Sequence, residues 1–243
     1  MCAMPDKELI MHGRLYVVGT PIGNLEDMSF RAVRILKEAD ICLAEDTRHT
    51  KKLFSHYDIH TELLSCYRYN EKKRVDTVCG LLDQGKTIAL VSDAGMPGIS
   101  DPGEIVIRSV IERGYALEVI PGASSVLVSL LMAGFRTDQF SFYGFIPRKG
   151  NKRNKRLRHI AESDLTAILF ESPLRLESLL KDTLAFCGDR KAAVCRELTK
   201  MFESVERGTI NELLIRLKQK KITLKGECVL VVEGKDAFVK NQE

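Results

Sequence analysis

The chain of 243 residues contains no tryptophan, and none of its apolar runs approaches the ~20 residues that a membrane-spanning helix needs. Its first residues include Pro5, Asp6, Lys7 and Glu8, and they lack the apolar core of a secretory signal peptide. These absences predict a cytoplasmic protein without a membrane segment. A hydrophobic content of 44% is ordinary for a globular protein, and the length allows one large domain or two of ordinary size.

The chain contains seven cysteines and five histidines, but neither residue type shows the spacing of a metal site. No two cysteines form a Cys-x-x-Cys pair. His56 and His60 are four residues apart, yet no second ligand pair lies near them in the sequence. We therefore expect reduced, mostly buried thiols and no bound metal.

The common nucleotide-binding fingerprints are absent from the most informative segment, residues 15–25. There an apolar, strand-like run ends at Gly19 and meets Pro21 and Gly23. The segment contains no Gly-x-Gly-x-x-Gly, and no Gly-Lys-Ser/Thr follows it. Residues 91–103 and 119–125 repeat the passage from an apolar run to a Gly/Pro loop. Because open α/β sheets bind ligands where their strands end, three such loops predict a shared ligand cleft.

Strand-like and helix-like patterns alternate along the first half of the chain. They predict strands at 14–18, 41–44, 87–91 and 117–120, and helices at 30–39, 75–84, 102–113 and 124–133. This alternation is typical of an α/β fold with a parallel sheet covered on both faces. The third of these helices is expected to start from Asp101 as its cap, with Pro102 in its first turn.

The pattern restarts at Phe140 and continues to the end of the chain. It predicts strands at 140–143, 167–170, 192–196 and 228–232, and helices at 174–186 and 210–218. We place a domain boundary near Arg136. This divides the chain into an N-terminal α/β domain with the Gly/Pro loops, residues 1–136, and a C-terminal α/β domain, residues 137–243.

The two halves of the chain differ in charge. Residues 1–125 contain 15 basic and 18 acidic side chains, a net of −3, whereas residues 126–243 contain 22 and 15, a net of +7. Seven basic residues and no acidic one fall between Arg148 and Arg158. A run of this density suits the phosphates of RNA, the alternative being a solvated mobile loop. The candidate RNA-binding residues are Arg148, Lys149, Lys152, Arg153, Lys155 and Arg156.

Polar side chains at strand ends are the candidates for a ligand site. The carboxylate of Asp93 can accept hydrogen bonds from a ligand, or it can merely cap a turn. Ser124 and Ser125 open a helix, where hydroxyl and amide groups either bind a ligand or cap the helix. Two ionisable segments, 45–48 and 195–200, follow strands. Each either faces the cleft or forms an ordinary surface turn with a weak salt bridge.

Seven segments in order resemble the tetrapyrrole-methylase-like superfamily, and most closely its branch that methylates small-subunit ribosomal RNA. They are residues 15–25, Ala44-Glu-Asp-Thr-Arg48, 91–103, 119–125, Gly144-Phe-Ile-Pro-Arg-Lys149, Phe170-Glu-Ser-Pro173 and Arg196-Glu-Leu-Thr-Lys200. The resemblance covers nearly the whole chain. Ser92-Asp93-Ala94 stands where many relatives have Gly-Asp-Pro, and the first loop has fewer glycines than theirs. Both departures favour the RNA branch over porphyrin substrates.

The resemblance implies the tetrapyrrole methylase fold, with two α/β domains and a ligand cleft between them, and it implies a homodimer. It implies S-adenosyl-L-methionine as cofactor. The implied reaction is 2′-O-methylation of a cytidine ribose in the 16S rRNA of the small ribosomal subunit. The cofactor contacts carried over are Pro21, Asp93, Ala94, Gly95, Met96, Ser124 and Ser125 in the first domain. Those carried over in the second are Phe170, Leu198 and Gly226.

Such a reaction is mainly a positioning task, because the sulfonium methyl is already a strong electrophile. A ribose hydroxyl is a poor nucleophile at neutral pH, so a nearby base or cation is expected to assist it. The candidates are Glu197, Lys200, Asp46 and Arg48. Two alternatives stay open: methylation of a small tetrapyrrole or of a modified histidine on a protein, and a non-catalytic RNA-binding protein that keeps the fold. The basic run argues against a small substrate, and Asp93 with the two serines argues for catalysis.

Overall fold

The computed structural model describes residues 13–223 and 225–235, and the chain divides into two compact units, Met1–Ala123 and Ser124–Glu243. We describe each unit by itself. Of the seven cysteines, six lie in the described part, and all six are free and buried, while Cys2 lies outside it. Among the described residues no helix is long and apolar enough to cross a membrane, and no group of His, Cys, Asp and Glu could hold a metal ion.

The first unit is built on a five-stranded sheet in the order β3-β2-β4-β1-β5, and all four strand pairs are parallel. The parallel sheet predicted for this half of the chain is confirmed. Its strands are β1 Arg14–Val18, β2 Ile41–Ala44, β3 Glu62–Ser65, β4 Thr87–Val91 and β5 Ala116–Ile120. Its helices are α1 Phe30–Glu38, α2 Thr47–Tyr57, α3 Glu71–Asp83 and α4 Glu104–Glu112. A short 3-10 turn lies at Leu25–Asp27.

Helices cover both faces of this sheet because the central strands are apolar on both sides. In β4 the four residues after Thr87 are buried, and they divide between two separate hydrophobic clusters. Helix α1 shows how a covering helix is specified. The Ser29 side chain accepts the N–H of Ala32 at 3.1 Å and so caps the helix, and Ala32, Ile35 and Leu36 turn inward.

The second unit is built on a mixed sheet in the order β6-β7-β10-β8-β9. Its strands are β6 Phe140–Phe145, β7 Thr166–Glu171, β8 Lys191–Arg196, β9 Ser204–Thr209 and β10 Cys228–Val232. Its helices are α5 Ser125–Ala133, α6 Asn151–Glu162, α7 Pro173–Cys187 and α8 Ile210–Lys218. Only β6 and β7 pair in parallel, whereas β10 runs antiparallel to β7 and β8, and β8 antiparallel to β9. Strand β9 has no apolar run that would have predicted it.

The division between the units lies at Ala123/Ser124, before the boundary that we expected near Arg136. The reason is the packing of α5. This helix follows the last strand of the first sheet, but it packs on β7, β8, β9 and β10 of the second sheet. The side chain of Arg207 in β9 also donates to the carbonyl of Met132 at the end of α5.

The start of α4 differs from the capping pattern read from the sequence. The helix begins at Glu104, and its N-cap is Gly103 with φ of 128°, a conformation that favours glycine. The carboxylate that caps it comes instead from Glu71, at the start of α3. Glu71 Oε1 accepts the N–H groups of Gly103 at 2.9 Å, Ile105 at 2.7 Å and Val106 at 3.3 Å.

Candidate active site

Two of the Gly/Pro loops meet at the carboxyl edge of the first sheet, the edge where its parallel strands end. The N–H of Thr20 donates to the carbonyl of Gly95 at 2.9 Å, and the N–H of Gly95 donates back to Thr20 at 3.1 Å. The Thr20 hydroxyl also donates to the carbonyl of Ser92 at 3.2 Å. The loop after β1 is therefore held against the loop after β4 through main-chain groups.

The third loop, after β5, closes onto the first through two glycines. A Cβ added at Gly19 would lie 2.8 Å from both N and Cα of Gly122, which is closer than real Cβ atoms approach a backbone. Gly19 and Gly122 therefore have to be glycine for the loops to touch. The structure thus brings together, within one unit, the three loops that the sequence singled out.

The predicted cofactor contacts of this unit lie in these loops. Pro21 is buried directly after Thr20, and Gly95 has φ of +79°, so an L side chain there would be strained. Met96 packs against Gly19, since its Sδ would lie 2.6 Å from a Cβ at that position. Ala94 is half-buried and Gly95 is buried.

Asp93 links the loop after β4 to the start of α2. Its Oδ1 accepts the main-chain N–H of Asp46 at 3.1 Å. The side chain of Asp46 in turn accepts the N–H of Arg48 at 2.9 Å and pairs with the Arg48 guanidinium at 2.7 Å. Asp93 therefore organises the neighbouring loop, which is part of the turn-capping role that the sequence left open.

Glu45 stands apart from the acids around it. Burial raises its pKa, and the negative charges of Asp93 and Asp46 raise it further against the opposing effect of the Asp93 N–H. The pKa of Asp46 is instead held well below its usual range, first by hydrogen bonds from the Arg48 side chain and main chain. Glu45 is thus more ready than Asp46 to take up a proton, and the sequence did not single it out.

The segment after β8 in the second unit forms a closed ionic cluster. Glu197 Oε1 accepts the main-chain N–H of Glu227 at 2.8 Å, and Lys200 Nζ lies 3.1 Å from both Glu197 Oε1 and Glu227 Oε2. Gly226 has φ of +77°, and the Glu197 carboxylate fills the space that a side chain at Gly226 would need. Leu198, next to Glu197 in the chain, is buried.

The backbone of this segment is strained, with φ of 48° at Glu197 and 65° at Thr199. The hydrogen bond from the Glu227 N–H, followed by those from Lys200, lowers the pKa of Glu197 despite some burial. Burial lowers the pKa of Lys200, but its bonds to Glu197 and Glu227 outweigh this and raise it. The four predicted catalytic residues, Glu197, Lys200, Asp46 and Arg48, therefore form ion pairs that keep them charged. This makes Glu197 and Asp46 poor proton acceptors and leaves Lys200 and Arg48 as cations.

The remaining predicted cofactor contacts lie at the ends of elements in the second unit. Ser124 is the N-cap residue of α5, but its side chain makes no capping hydrogen bond within the described chain, and Ser125 is the first helical residue. Phe170 lies near the end of β7. Its ring meets Phe142 and Phe145 edge to face, with centroids 4.9 Å and 5.6 Å away. Because it does not cap α5, the Ser124 hydroxyl is left for another partner.

The basic run forms helix α6 and not a mobile loop. Lys152, Lys155, Arg156 and His159 are exposed at the spacing of one helix face, and Arg148 and Lys149 are exposed just before the helix. The Arg156 guanidinium lies 5.7 Å from the centre of the Tyr143 ring. In the described part of the chain, none of Arg148, Lys149, Lys152, Lys155, Arg156 and Arg158 forms an ion pair. We call Arg148, Lys149, Lys152, Lys155 and Arg156 the α6 basic face.

Arg153 does not belong to this surface, which corrects the sequence-based assignment. Its side chain is only 6% exposed. Its Nε donates to Asp182 Oδ2 at 2.8 Å, and one terminal nitrogen donates to the carbonyl of Pro147 at 2.9 Å. Arg153 therefore links α6 to α7 and to the preceding loop, and these donors are directed at the protein and not at a ligand.

The protein-family comparison decides the class. A family model described as Tetrapyrrole (Corrin/Porphyrin) Methylases matches residues 14–214, which include most of both units. The chain belongs to this family. The resemblance read from the ordered motifs is confirmed, and the two α/β units are the halves of the tetrapyrrole methylase fold.

Three curated relatives of this tetrapyrrole-methylase family member carry the name Ribosomal RNA small subunit methyltransferase I. The protein of Halalkalibacterium halodurans is 46% identical over 231 residues, which cover 95% of this chain and 79% of that one. The protein of Thermotoga maritima is 42% identical, covering 92% of this chain and 100% of its own. The protein of Bacillus subtilis is 44% identical, covering 91% and 75%.

Solved structures at lower identity share the fold. A uroporphyrin-III-C-methyltransferase from Thermus thermophilus superposes with a TM-score of 0.64 at 20% identity, covering 95% of this chain and 98% of that one. A cobalt precorrin-4 methyltransferase superposes with a TM-score of 0.66 at 18% identity, covering 90% and 94%. At these identities the likeness concerns the fold alone.

One further pattern in this methylase resembles a phosphate-binding loop and is excluded by its structure. Gly80, Gly85, Lys86 and Thr87 fit the Gly-x4-Gly-Lys-Thr spacing, which in a P-loop joins a strand to a following helix. Here the order is reversed, because Gly80 lies inside α3 and Thr87 begins β4. Lys86 pairs with Asp40 at 3.0 Å, so its ammonium has a partner on the protein.

Proposed function

We propose that this protein transfers a methyl group from S-adenosyl-L-methionine to the ribose 2′-oxygen of a cytidine in the 16S rRNA of the small ribosomal subunit. The observation that carries the proposal is the 46% identity, over 95% of the chain, to a protein named for methylation of small-subunit ribosomal RNA. The α6 basic face supports it, because unpaired cations on one helix face suit a polyanionic substrate.

The carboxyl-edge loops of the first unit fit the cofactor. They offer the half-buried Asp93 carboxylate to hydroxyl and amino groups of a nucleoside. The bound cofactor supplies an electrophilic methyl group on a sulfonium centre. We propose Pro21 and residues 93–96 as its contacts here, and Ser124, Ser125, Phe170, Leu198 and Gly226 as contacts from the second unit.

We propose Glu45 as the group that takes the proton of the ribose hydroxyl. Its pKa is raised, whereas that of Asp46 is lowered by Arg48. A carboxylate whose pKa is raised is a better general base than one clamped in an ion pair. In this proposal Asp93, through the Asp46 N–H, holds the segment that carries Glu45.

The α6 basic face is proposed to hold RNA by its phosphates, with Arg156 and the Tyr143 ring as a mixed cationic and aromatic surface. We also propose that the protein works as a homodimer in the cytoplasm, where small ribosomal subunits assemble. The free, buried thiols of the described residues suit a reducing compartment.

The test is incubation of the purified protein with radiolabelled S-adenosylmethionine and one of three acceptors: small ribosomal subunits, naked 16S rRNA or large subunits. We expect label on one cytidine of small-subunit RNA, and resistance of the adjacent bond to alkaline cleavage. Label on a base or on large-subunit RNA would refute the proposal.

A further inference from the structure

Residues 67–73, Tyr-Arg-Tyr-Asn-Glu-Lys-Lys, form an exposed aromatic and cationic surface on the first unit. They leave β3 at the carboxyl end of the sheet, since Ser65 pairs in register with Ala44, the last residue of β2. Tyr69 is 88% exposed and Tyr67 is 44% exposed, and Arg68 between them is exposed as well. We call this segment the Tyr67–Lys73 surface.

The backbone beneath these side chains is held by hydrogen bonds. The side chain of Asn70 accepts the N–H of Tyr67 at 2.8 Å and donates to the carbonyl of Ser65 at 3.2 Å. Arg74 Nε donates to the same carbonyl at 2.7 Å. Two exposed tyrosines on a fixed turn are preorganised for contact, so binding costs them little ordering.

The acidic side chain of this segment is buried, whereas its basic side chains are exposed. Glu71 is 5% exposed, and its carboxylate accepts main-chain N–H groups at the start of α4. Lys72 and Lys73 are exposed, and neither they nor Arg68 form an ion pair within the described ranges. Glu71, the only acid among residues 67–73, therefore binds main-chain groups of the protein. The exposed side of the segment carries three cations.

We propose that the Tyr67–Lys73 surface binds a single-stranded segment of the RNA substrate, by stacking bases on Tyr67 and Tyr69 and by contacting phosphates through Arg68, Lys72 and Lys73. This inference rests on the proposed function. Single-stranded RNA is the occupant that the chemistry favours, because flat aromatic faces hold any base and the flanking cations hold the backbone. An acidic protein partner would use the cations and leave the two rings without a role.

The surface lies at the same edge as the proposed methyl-transfer site of this unit. The N–H of Cys66 donates to the carbonyl of Ala44 at 2.7 Å, directly before Glu45. Glu71 holds α4, which follows the loop that carries Asp93. RNA held on the Tyr67–Lys73 surface therefore lies at the same edge of the sheet as Glu45.

The test compares Tyr69→Leu with Tyr69→Phe in RNA binding, methyl transfer and binding of S-adenosylhomocysteine. Stacking predicts that the leucine variant loses about tenfold in RNA affinity and gains as much in KM, while the phenylalanine variant stays near wild type. Cofactor affinity should not change in either. Because Tyr69 is exposed, both variants should keep the wild-type melting temperature, which is checked alongside.

The cations are tested by the salt dependence of RNA binding. Alanine at both Lys72 and Lys73 should flatten the slope of log affinity against log salt by about 1.4, at roughly 0.7 per phosphate contact on single strands. The matched control is Arg108→Ala, an exposed arginine of the same unit that is already paired with Glu112 at 2.8 Å. This control should leave the slope unchanged.

The outcomes separate this inference from the proposed function. Wild-type RNA affinity in Tyr69→Leu, or an equal loss in the phenylalanine variant, overturns the stacking surface even where methyl transfer to small-subunit RNA is observed. If the wild type binds RNA with these sensitivities but methylates no RNA, the surface stands and the proposed reaction falls. If the wild type binds no RNA, both fall.

Discussion

Two ionic clusters follow strand ends, one in each unit, and they differ in how completely their charges are satisfied. In the second unit, Lys200 joins Glu197 to Glu227, and Gly226 leaves room for the bridge. In the first, Arg48 pairs with Asp46, while the pKa of Glu45 is raised by burial and by the negative charge of Asp93. Carboxylates joined by a shared cation stabilise a loop, whereas a carboxylate whose pKa is raised is available for chemistry on a substrate.

The sharpest test of this contrast is Glu45→Gln. We expect methyl transfer to fall by 10²- to 10⁴-fold, the usual range for loss of a general base, with cofactor affinity near wild type. The rate of the wild type should rise with pH as Glu45 loses its proton, over a range above that of an ordinary glutamate because its pKa is raised. Single-turnover rates between pH 5 and 9 measure both effects.

Asp46→Asn is the matched control for that experiment, because the pKa of Asp46 is lowered and its charge is constant over the same pH range. It should keep the pH-dependent limb that Glu45→Gln loses. A glutamine variant with the wild-type rate, or with the limb intact, would assign the proton to another group.

The next effect in size concerns Asp93. Replacement by alanine removes the acceptor of the Asp46 N–H, and we expect affinity for S-adenosylhomocysteine to drop about 10- to 100-fold, as for loss of a charged hydrogen bond. Asp93→Asn keeps an oxygen for that N–H. Calorimetry that finds asparagine near wild type would assign Asp93 an organising role, and asparagine as weak as alanine would assign it a charge-dependent contact with the ligand. Unchanged affinity in alanine would remove it from the site.

A smaller effect separates the exposed cations of α6 from the buried one. Alanine at Lys152, Lys155 and Arg156 together should flatten the salt dependence of RNA binding by about 2 in slope, at roughly 0.7 per contact. Arg153→Met should instead leave the slope unchanged and lower the melting temperature, because Asp182 and the Pro147 carbonyl lose their donor. If Arg153→Met flattened the slope as much as the alanines, the division drawn here would be wrong.

The smallest expected effect is on the stability that the Glu197–Lys200–Glu227 cluster provides. Lys200→Met should lower the free energy of unfolding by about 1 kcal/mol at neutral pH, because Glu197 loses its partner in a partly buried position. Since the folded-state pKa of Glu197 is lowered, its stabilising contribution is present above its ordinary pKa and is lost as pH falls through the lowered value. Denaturant unfolding should therefore show a difference that vanishes in acid. A difference that persists there would rule out the ion pair as its cause.

The apolar patterns of the sequence predicted four of the five strands of the first sheet, most clearly β4, which is a buried apolar run. They did not predict β3, whose four residues are exposed or half-buried. They missed β9, whose residues alternate between polar and small, and which is held by pairing with β8. They also missed α6, because its charged positions outnumber the three that face inward, Arg153, Leu157 and Ile160. Residues fixed mainly by tertiary pairing carry little local signal.

The candidate site was predicted in part for a similar reason. The glycine and proline pattern located the loops around Gly19, Gly95 and Gly122, because backbone contacts of that closeness require it. The roles of the charged residues did not follow from sequence, since they depend on which partner each one meets in space. In the sequence, Arg153 is one more cation of a basic run, and only the fold brings it to its partner Asp182. Glu45 and Asp46 are neighbours in sequence, yet their pKa values move in opposite directions.

The contact between Glu71 and α4 has a consequence for how the first unit folds. With glycine at its N-cap, α4 has no side-chain cap of its own, and its first amides are satisfied by a residue 32 to 35 positions earlier in the chain. The first amides of α4 therefore lack their acceptor until α3 has docked, and this couples the two helices into one cooperative unit. Hydrogen exchange at the amides of Ile105 and Val106 then reports the opening of α3, a helix to which they do not belong.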